Sequence, residues 1–299
     1  MMCTCGVNDK IILTQFQYKN VSYNSLKCEI CGFIQTKPVE AVNVDIYETG
    51  HYKVKAYFII PFLINLLDYV YIYISILSVR FNKNKSLLDL GCGKGYFLYF
   101  LRKLGYKNLT GVETSISRAS FAKELTKLEI SSDIYTGGKI MGKNYDFISL
   151  IHVLEHIENP FEFLDIMIEE AVKENGAVFI EVPNIDSFAS RISKKTWAHF
   201  TPHFHINHFT PLSFINYCKK NNYEYKMVST FSFYNSAMGM TSALFSLFGY
   251  RGSLFENMKG KKIVVIIAFI LLLPFTVLLE IFVSLFSYKG SVIKFIIKK

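Results

Sequence analysis

The sequence predicts an α/β fold, a largely parallel sheet with helices on both faces. Three observations carry that reading. From Ser86 onward, short apolar runs alternate with helix-length segments, the order that builds parallel strands through crossover helices. The first of these runs ends in three closely spaced glycines followed by a helix-length segment. Two helix starts are marked by a capping residue ahead of proline, Asn159-Pro160 and Thr210-Pro211, where proline's fixed φ suits the first helical position.

In order, the elements read as strand 86–90, helix 95–104, strand 108–113, helix 116–128, strand 131–136, strand 145–151, helix 160–174 and strand 177–182. Helix 211–221, a strand at about 223–233 and a last strand over Gly290–Lys299 complete the set. Residues 1–55 are polar with short β-type runs such as Lys10–Gln17. Residues 56–80 are strongly apolar, but Pro61 and Asp68 interrupt them, leaving less than the ~20 uncharged residues a spanning helix needs. That segment predicts a buried helix of about four turns.

Composition excludes several classes. With 51% hydrophobic residues, 27 Phe and 19 Tyr, the chain has ample material for a core, which rules out disorder. Gly 17 and Pro 7 in 299 residues exclude collagen-like and low-complexity chains. The net charge of +9 admits nucleic acid, anionic lipid or an anionic substrate. Its location narrows the choice. Residues 251–299 carry eight basic side chains against Glu256 and Glu280, so they supply +6 of the +9 beside the longest apolar run. Basic residues flanking an apolar run indicate a membrane surface and make nucleic acid a weak option.

Four of the six cysteines lie in the first 31 residues, as Cys3-Thr-Cys5 and Cys28-Glu-Ile-Cys31-Gly. The N-terminus lacks the basic region and apolar core of a secretory signal. The expected compartment is therefore the reducing cytoplasm, where clustered cysteines favour metal over disulfides.

The segment Leu87-Leu88-Asp89-Leu90-Gly91-Cys92-Gly93-Lys94-Gly95 is the most informative. Glycines at a strand–helix turn permit positive φ and close approach of a ligand to the backbone, and the helix N-terminus adds free N–H groups. The spacing fits neither a dinucleotide fingerprint, since Tyr96 takes the third glycine position, nor a P-loop. Glu113 follows the second strand, 18 residues after Gly95, where an acid can accept ribose hydroxyls. After the fourth strand comes His152-Val153-Leu154-Glu155-His156, on the carboxyl edge where open sheets bind ligands. If a helix starts at once, His152, Glu155 and His156 share one face, and a histidine there suits proton removal. A second histidine cluster runs from His199 through His203 and His205 to His208, and the strand-five exit offers Asn184 as a substrate contact.

These residues resemble the class I S-adenosylmethionine-dependent methyltransferases, over about residues 86–233 plus the final strand. The similarity is greatest to the group with a V-L-E-H segment, which includes ubiquinone-pathway O-methyltransferases. The resemblance implies a Rossmann-like doubly wound sheet of seven strands, the last antiparallel. It implies S-adenosylmethionine held by Asp89, Gly91, Cys92, Gly93, Gly95 and Glu113, with His152 at the rim. Tyr135-Thr136-Gly137-Gly138 replaces the acid that often contacts adenine. It also implies catalytic roles for His156, Glu155, His152 and His205. RNA 3′-end 2′-O-methyltransferases use an E-x-x-E-H segment and a later histidine for a divalent metal, so an active-site metal enters as an option, with His152 standing where the first acid would be. The amino-terminal cysteines resemble a zinc ribbon, with Cys3, Cys5, Cys28 and Cys31 as ligands. The first pair is C-x-C where C-x-x-C is usual, so a metal-free ribbon stays open.

Residues Ile263–Tyr288 are 26 long with Glu280 as their one charge. A single span, a buried hairpin and a re-entrant or interfacial hairpin all fit that length. The expectation taken is the last, broken at Pro274, because the final strand must return to the sheet. The resulting division is 1–40 zinc-ribbon-like, 41–85 linker and apolar helix, 86–235 with 289–299 methyltransferase, and 236–288 hydrophobic insertion. The function expected is methyl transfer, to oxygen, on a lipid-linked, isoprenoid or envelope-saccharide acceptor at the inner membrane face. Alternatives are a soluble small-molecule or sugar methyltransferase, and a noncatalytic zinc-ribbon interaction protein that keeps a cofactor pocket.

Overall fold

The computed structural model describes residues 11–18, 20–40, 59–78, 81–197, 199–248 and 263–299. The chain begins with strands β1 (Ile11–Tyr18), β2 (Val21–Cys28) and β3 (Ile34–Pro38), then helix α1 (Ile59–Leu77). The alternating part follows: β4 (Leu87–Leu90), α2 (Tyr96–Lys103), β5 (Leu109–Val112), α3 (Ile116–Thr126), β6 (Glu129–Ser131), β7 (Tyr145–Ile151), α4 (Pro160–Glu170) and β8 (Val172–Pro183). Then come α5 (Phe188–Ser193), β9 (Asn207–His208), α6 (Pro211–Asn221), β10 (Glu224–Ser229), α7 (Phe233–Leu247), α8 (Ile263–Ser287) and β11 (Val292–Lys298).

Seven strands form one sheet in the order β10-β11-β8-β7-β4-β5-β6. β11 pairs antiparallel with both β8 and β10, while β4, β5, β6, β7 and β8 run parallel. Successive strand residues face opposite sides, so Leu88, Ile148 and Ile180 enter one core with α4 and α6. Leu87, Phe147 and Phe179 enter the other with α1 and α2.

Several local expectations are corrected. The strand expected over 131–136 ends at Ser131, because the Ser131 hydroxyl accepts from the Asp133 N–H at 3.1 Å and donates to its carboxylate, closing a turn. The helix expected to reach residue 174 stops at Glu170. The Asn144 amide donates to the Glu170 carbonyl at 2.5 Å, and the Tyr145 N–H to the Ala171 carbonyl, drawing the chain into the sheet. Thr210 caps α6 in a reciprocal box with Ser213, whereas Asn159 makes no side-chain cap.

α1 is not the buried helix expected. Ile72 and Ile76 pack inward, but Leu63, Leu67, Val70, Ile74 and Leu77 are exposed. The apolar run at 263–287 is also not a hairpin broken at Pro274: it is one 25-residue helix with Pro274 inside. Proline removes one backbone donor there, and the Thr276 hydroxyl donates to the Leu273 carbonyl at 2.9 Å. Glu280 turns inward, fully buried, and accepts the Ser291 N–H at 2.5 Å. α7 lies against α8, with the Thr241 and Thr276 hydroxyls 3.4 Å apart.

The amino-terminal strands do not stand apart. They form a second sheet, β1-β2-β3-β9, whose last strand belongs to the histidine loop. Cys28 and Cys31 flank the β2–β3 turn, both 3% exposed, and pack with Phe33, Phe161 and Phe209. Cys3 and Cys5 lie outside the described residues.

Candidate active site

The glycine loop joins β4 to α2. Gly91, Gly93 and Gly95 have φ of 75°, 55° and 72°, a region L side chains avoid. A Cβ on Gly91 would stand 2.6 Å from Val153 Cγ2, and one on Gly95 3.0 Å from Ala122 Cβ. Around Gly93 there is open space within 4 Å. The middle of the loop is thus free to receive a ligand while its ends are wedged against the protein.

Glu113, 4% exposed, stands at the tip of β5. Its Oε2 accepts from the Gly93 N–H at 2.9 Å and its Oε1 from the Ser115 N–H at 2.9 Å. The Arg118 guanidinium lies 3.1 Å from Oε1. A carboxylate has about four lone-pair sites, so acceptor capacity remains beside the loop. Asp89 is buried and accepts from Ser149 Oγ at 2.7 Å. Burial pushes its carboxyl up to about 7 despite the Ser149 bond, with the Glu113 charge adding to the rise. Cys92 is packed inside, and burial raises its thiol well above the ordinary range.

The reacting edge begins where Val153 meets Gly91. His152 follows β7 in a left-handed conformation, φ 56°, with its N–H bonded to the Glu181 carbonyl at 2.8 Å. Only a single 3-10 turn, Leu154–His156, comes next. His152, Glu155 and His156 therefore do not share a helix face. The His152 imidazole turns between two carboxylates, with Nδ1 3.1 Å from Glu155 Oε1 and Nε2 3.3 Å from Glu181 Oε1. Burial alone would lower its pKa, but the bonds to Glu155 and Glu181 outweigh this and push it up to about 10. The two carboxylates thus favour the charged ring and hold the His152 imidazole in place between them. The Asn235 amide nitrogen Nδ2 lies 2.9 Å from Nε2.

Glu155, His156 and His205 converge instead, with one potential ligand atom of each within 4.8 Å of the others. His156 Nδ1 is bonded to the Phe204 carbonyl at 2.8 Å and His205 Nδ1 to the His199 carbonyl at 2.9 Å. In both rings Nε2 is the nitrogen left over. Glu155 Oε2 is buried and lacks a hydrogen-bond partner. Burial opposes ionisation of Glu155, yet His152, His156 and His205 hold its carboxyl down to about 2. Burial keeps His205 neutral, down to about 3. Two imidazoles oriented through Nδ1, with a carboxylate, make a chemically suitable donor set for a divalent metal.

The amino-terminal sheet braces this edge. Gln35 Nε2 donates to the Glu158 carbonyl at 2.9 Å and to Asn207 Oδ1 at 3.1 Å. Asn207 Nδ2 donates to the Leu154 carbonyl at 3.2 Å. His208 is buried in β9, where burial lowers its pKa to about 3. Asn184 is also structural: its amide donates to the Gly290 carbonyl at 2.8 Å and its oxygen accepts the Asp186 N–H, so it does not face substrate.

Sequence reading missed Asp68, Asn235 and Lys294. Lys294, fully buried on β11, lies 3.5 Å from Glu181 and 3.6 Å from Asp68, with Nζ 4.5 Å from the Tyr71 ring centroid. Asp68 accepts the Phe233 and Tyr234 N–H groups at the start of α7. A lone charge inside an apolar pattern was the available signal for Asp68 and Lys294.

A model of the methyltransferase domain matches residues 71–228, more than half of the chain. The chain belongs to the methyltransferase domain family. Its seven-stranded sheet and glycine loop give it the fold of the class I S-adenosylmethionine-dependent methyltransferases. The mitochondrial ubiquinone biosynthesis O-methyltransferase of Dictyostelium discoideum is 29% identical over 123 residues, covering 36% of this methyltransferase and 38% of that protein. Its counterpart in Schizosaccharomyces pombe is 31% identical over 103 residues, covering 32% and 37%. The matches thus span under two fifths of those relatives. Among solved structures, the plantazolicin methyltransferase BpumL, in complex with a pentazolic desmethylPZN analog and SAH, superposes at TM-score 0.50. It is 19% identical, with 81% of this methyltransferase and 86% of that chain covered.

Proposed function

We propose that this methyltransferase transfers a methyl group to a hydroxyl oxygen of a lipid-linked, isoprenoid or envelope-saccharide acceptor at the inner face of the membrane. The observation that carries the reading is the convergence of Glu155, His156 and His205, the first two on the segment whose Val153 abuts Gly91. The ubiquinone-pathway names of the two relatives support oxygen as the acceptor atom.

The open space at Gly93 and the Glu113 carboxylate beside it fit S-adenosylmethionine. When bound, the cofactor supplies a methyl group on a sulfonium. Gly91, Gly93 and Gly95 would let the backbone approach it, and Glu113 would accept hydrogen bonds from its ribose hydroxyls. His156 Nε2 takes the acceptor's proton, since Nδ1 is committed to Phe204. Glu155, held ionised, stabilises the resulting imidazolium, while His205 forms the opposite wall. His152 anchors Glu155 from behind. A divalent metal held by Glu155, His156 and His205 would instead lower the hydroxyl's pKa directly. Cys28 and Cys31, with Cys3 and Cys5, would hold one structural zinc.

α8 supports membrane association. Its stretch Ile270–Ser287 is long and apolar enough to cross a membrane, and basic residues flank it at Lys261, Lys262 and Lys289. The test is mass spectrometry of membrane extracts incubated with methyl-labelled S-adenosylmethionine. A labelled ether on an extracted lipid or prenylated species supports the reading. Label confined to water-soluble acceptors, or on nitrogen, would replace it. His156→Ala should abolish the label while leaving SAH affinity intact.

A further inference from the structure

The exposed face of α1 has no role in the site or in the core. Leu63, Leu67, Val70, Ile74 and Leu77 recur every three or four residues, the spacing of one helix face. They are between 37% and 61% exposed. α1 is about 28 Å long. Asp68 is the only acid between residues 56 and 88, and it is buried, 5% exposed, on the opposite side of the helix. The sequence flanks are basic, with Lys53 and Lys55 before the helix and Arg80, Lys83 and Lys85 after it. An apolar stripe without exposed acid, bracketed by cations, is complementary to an anionic bilayer surface.

α1 is also joined to the other apolar helix. Its Asp68 carboxylate binds the first turn of α7 at 2.8 and 2.9 Å, and α7 packs along α8. α8 is sided in the same sense. Thr276, Glu280 and Ser284, four residues apart, are buried against the protein, whereas Leu271, Leu278, Phe282 and Leu285 are exposed. A helix with a polar, protein-bound face and an apolar outer face suits lying on a membrane rather than crossing it alone.

We propose that α1 is a second membrane-docking element, and that its Leu63–Leu77 stripe and the outer face of α8 seat the enzyme in the plane of an anionic bilayer. This deepens the membrane reading above and rests on it. Its consequence is that substrate arrives from the bilayer. The same first turn of α7 that Asp68 holds carries Asn235, which touches His152 at the reacting edge.

The test is vesicle flotation of the full chain, with phosphatidylcholine alone and with added phosphatidylglycerol. The wild-type chain should float with the anionic vesicles, and Leu67→Glu/Ile74→Glu should lower the bound fraction at least tenfold. Leu271→Glu/Leu278→Glu should do the same. SAH binding by calorimetry reports that each variant is folded. Retained flotation of the α1 variant, with loss for the α8 variant, would overturn the role of α1 and leave the membrane reading standing. Failure of the wild-type chain to float would overturn both. A wild-type dimer that the α1 variant converts to monomer without changing flotation would assign the face to a second copy. Should the double variant fail to bind SAH, Leu67→Trp serves in its place. Trp197 is 2% exposed, so quenching by brominated lipid reports the new indole, and absence of quenching would count against the proposal.

Discussion

His152 Nδ1 lies 3.1 Å from Glu155 Oε1, a half-buried imidazole facing a buried carboxylate. The contact is possible because His152 adopts φ 56° and turns away from His156. It divides the H-x-x-E-H segment into two parts. His152 is spent on holding charge, and His156 is left for chemistry.

That pair makes stability pH-dependent on both sides. The His152 pKa rises from 6.5 to about 10, so its contribution is full below pH 6.5 and lost as pH rises through about 10. The Glu155 pKa falls from 4.5 to about 2, so its contribution is full above pH 4.5 and lost as pH falls through about 2. Melting temperature followed from pH 3 to about 10 should decline at both ends. In His152→Gln the wild-type-minus-variant difference should shrink between pH 6.5 and about 10. A difference flat across that window would mean His152 is neutral in the folded chain.

Glu113 should govern cofactor affinity. Glu113→Ala removes an acceptor for ribose hydroxyls and the partner of the Gly93 N–H. Hydrogen bonds to charged groups contribute about 1.5–3 kcal/mol, so calorimetry should show SAH binding roughly ten- to hundredfold weaker. Unchanged affinity would place the ribose elsewhere.

The converging triad should bind metal. The wild-type chain is expected to take up about one Mn²⁺ or Zn²⁺ per site beyond any held by the cysteines. Either His156→Ala or His205→Ala should weaken it by at least about tenfold. Cys28→Ser should leave this uptake unchanged. Equal uptake in all four proteins would exclude the triad as ligands.

Much of the fold and of the glycine loop is legible in the sequence. Gly91, Gly93, Gly95 and Glu113 announce themselves through spacing, because a phosphate- or nucleoside-binding turn needs fixed residue types at fixed steps. β4, β7 and α6 were placed within a residue for the same reason, each having a local signal. What escaped depended on distance in the chain. Nothing local tells Asp68 that it will cap α7, or Lys294 that it will meet Glu181 at 3.5 Å. The split between His152 and His156 escaped too, since a left-handed φ at histidine has no sequence mark. Pro274 misled because a proline's local cost was outweighed by the packing of α8 along α7.

The bracing of the reacting edge by the amino-terminal sheet leads to the last prediction. Gln35 is 2% exposed and bonds both the Glu158 carbonyl and Asn207. Asn207 in turn holds the Leu154 carbonyl, and Glu155 and His156 follow directly. Gln35→Ala would leave these buried groups short of a donor, at a cost of about 1–3 kcal/mol. The loss should fall on the loop holding Glu155 and His156 rather than on the glycine loop, to which Gln35 makes no hydrogen bond among the described residues. SAH affinity should therefore stay within about twofold of wild type, while Mn²⁺ or Zn²⁺ uptake at the triad weakens by tenfold or so. Gln35→Glu keeps the side chain's length but replaces its donor, and should behave like alanine. Parallel loss of SAH and metal binding would indicate general destabilisation. Unchanged metal uptake in both variants would show that the sheet packs beside the edge without positioning it.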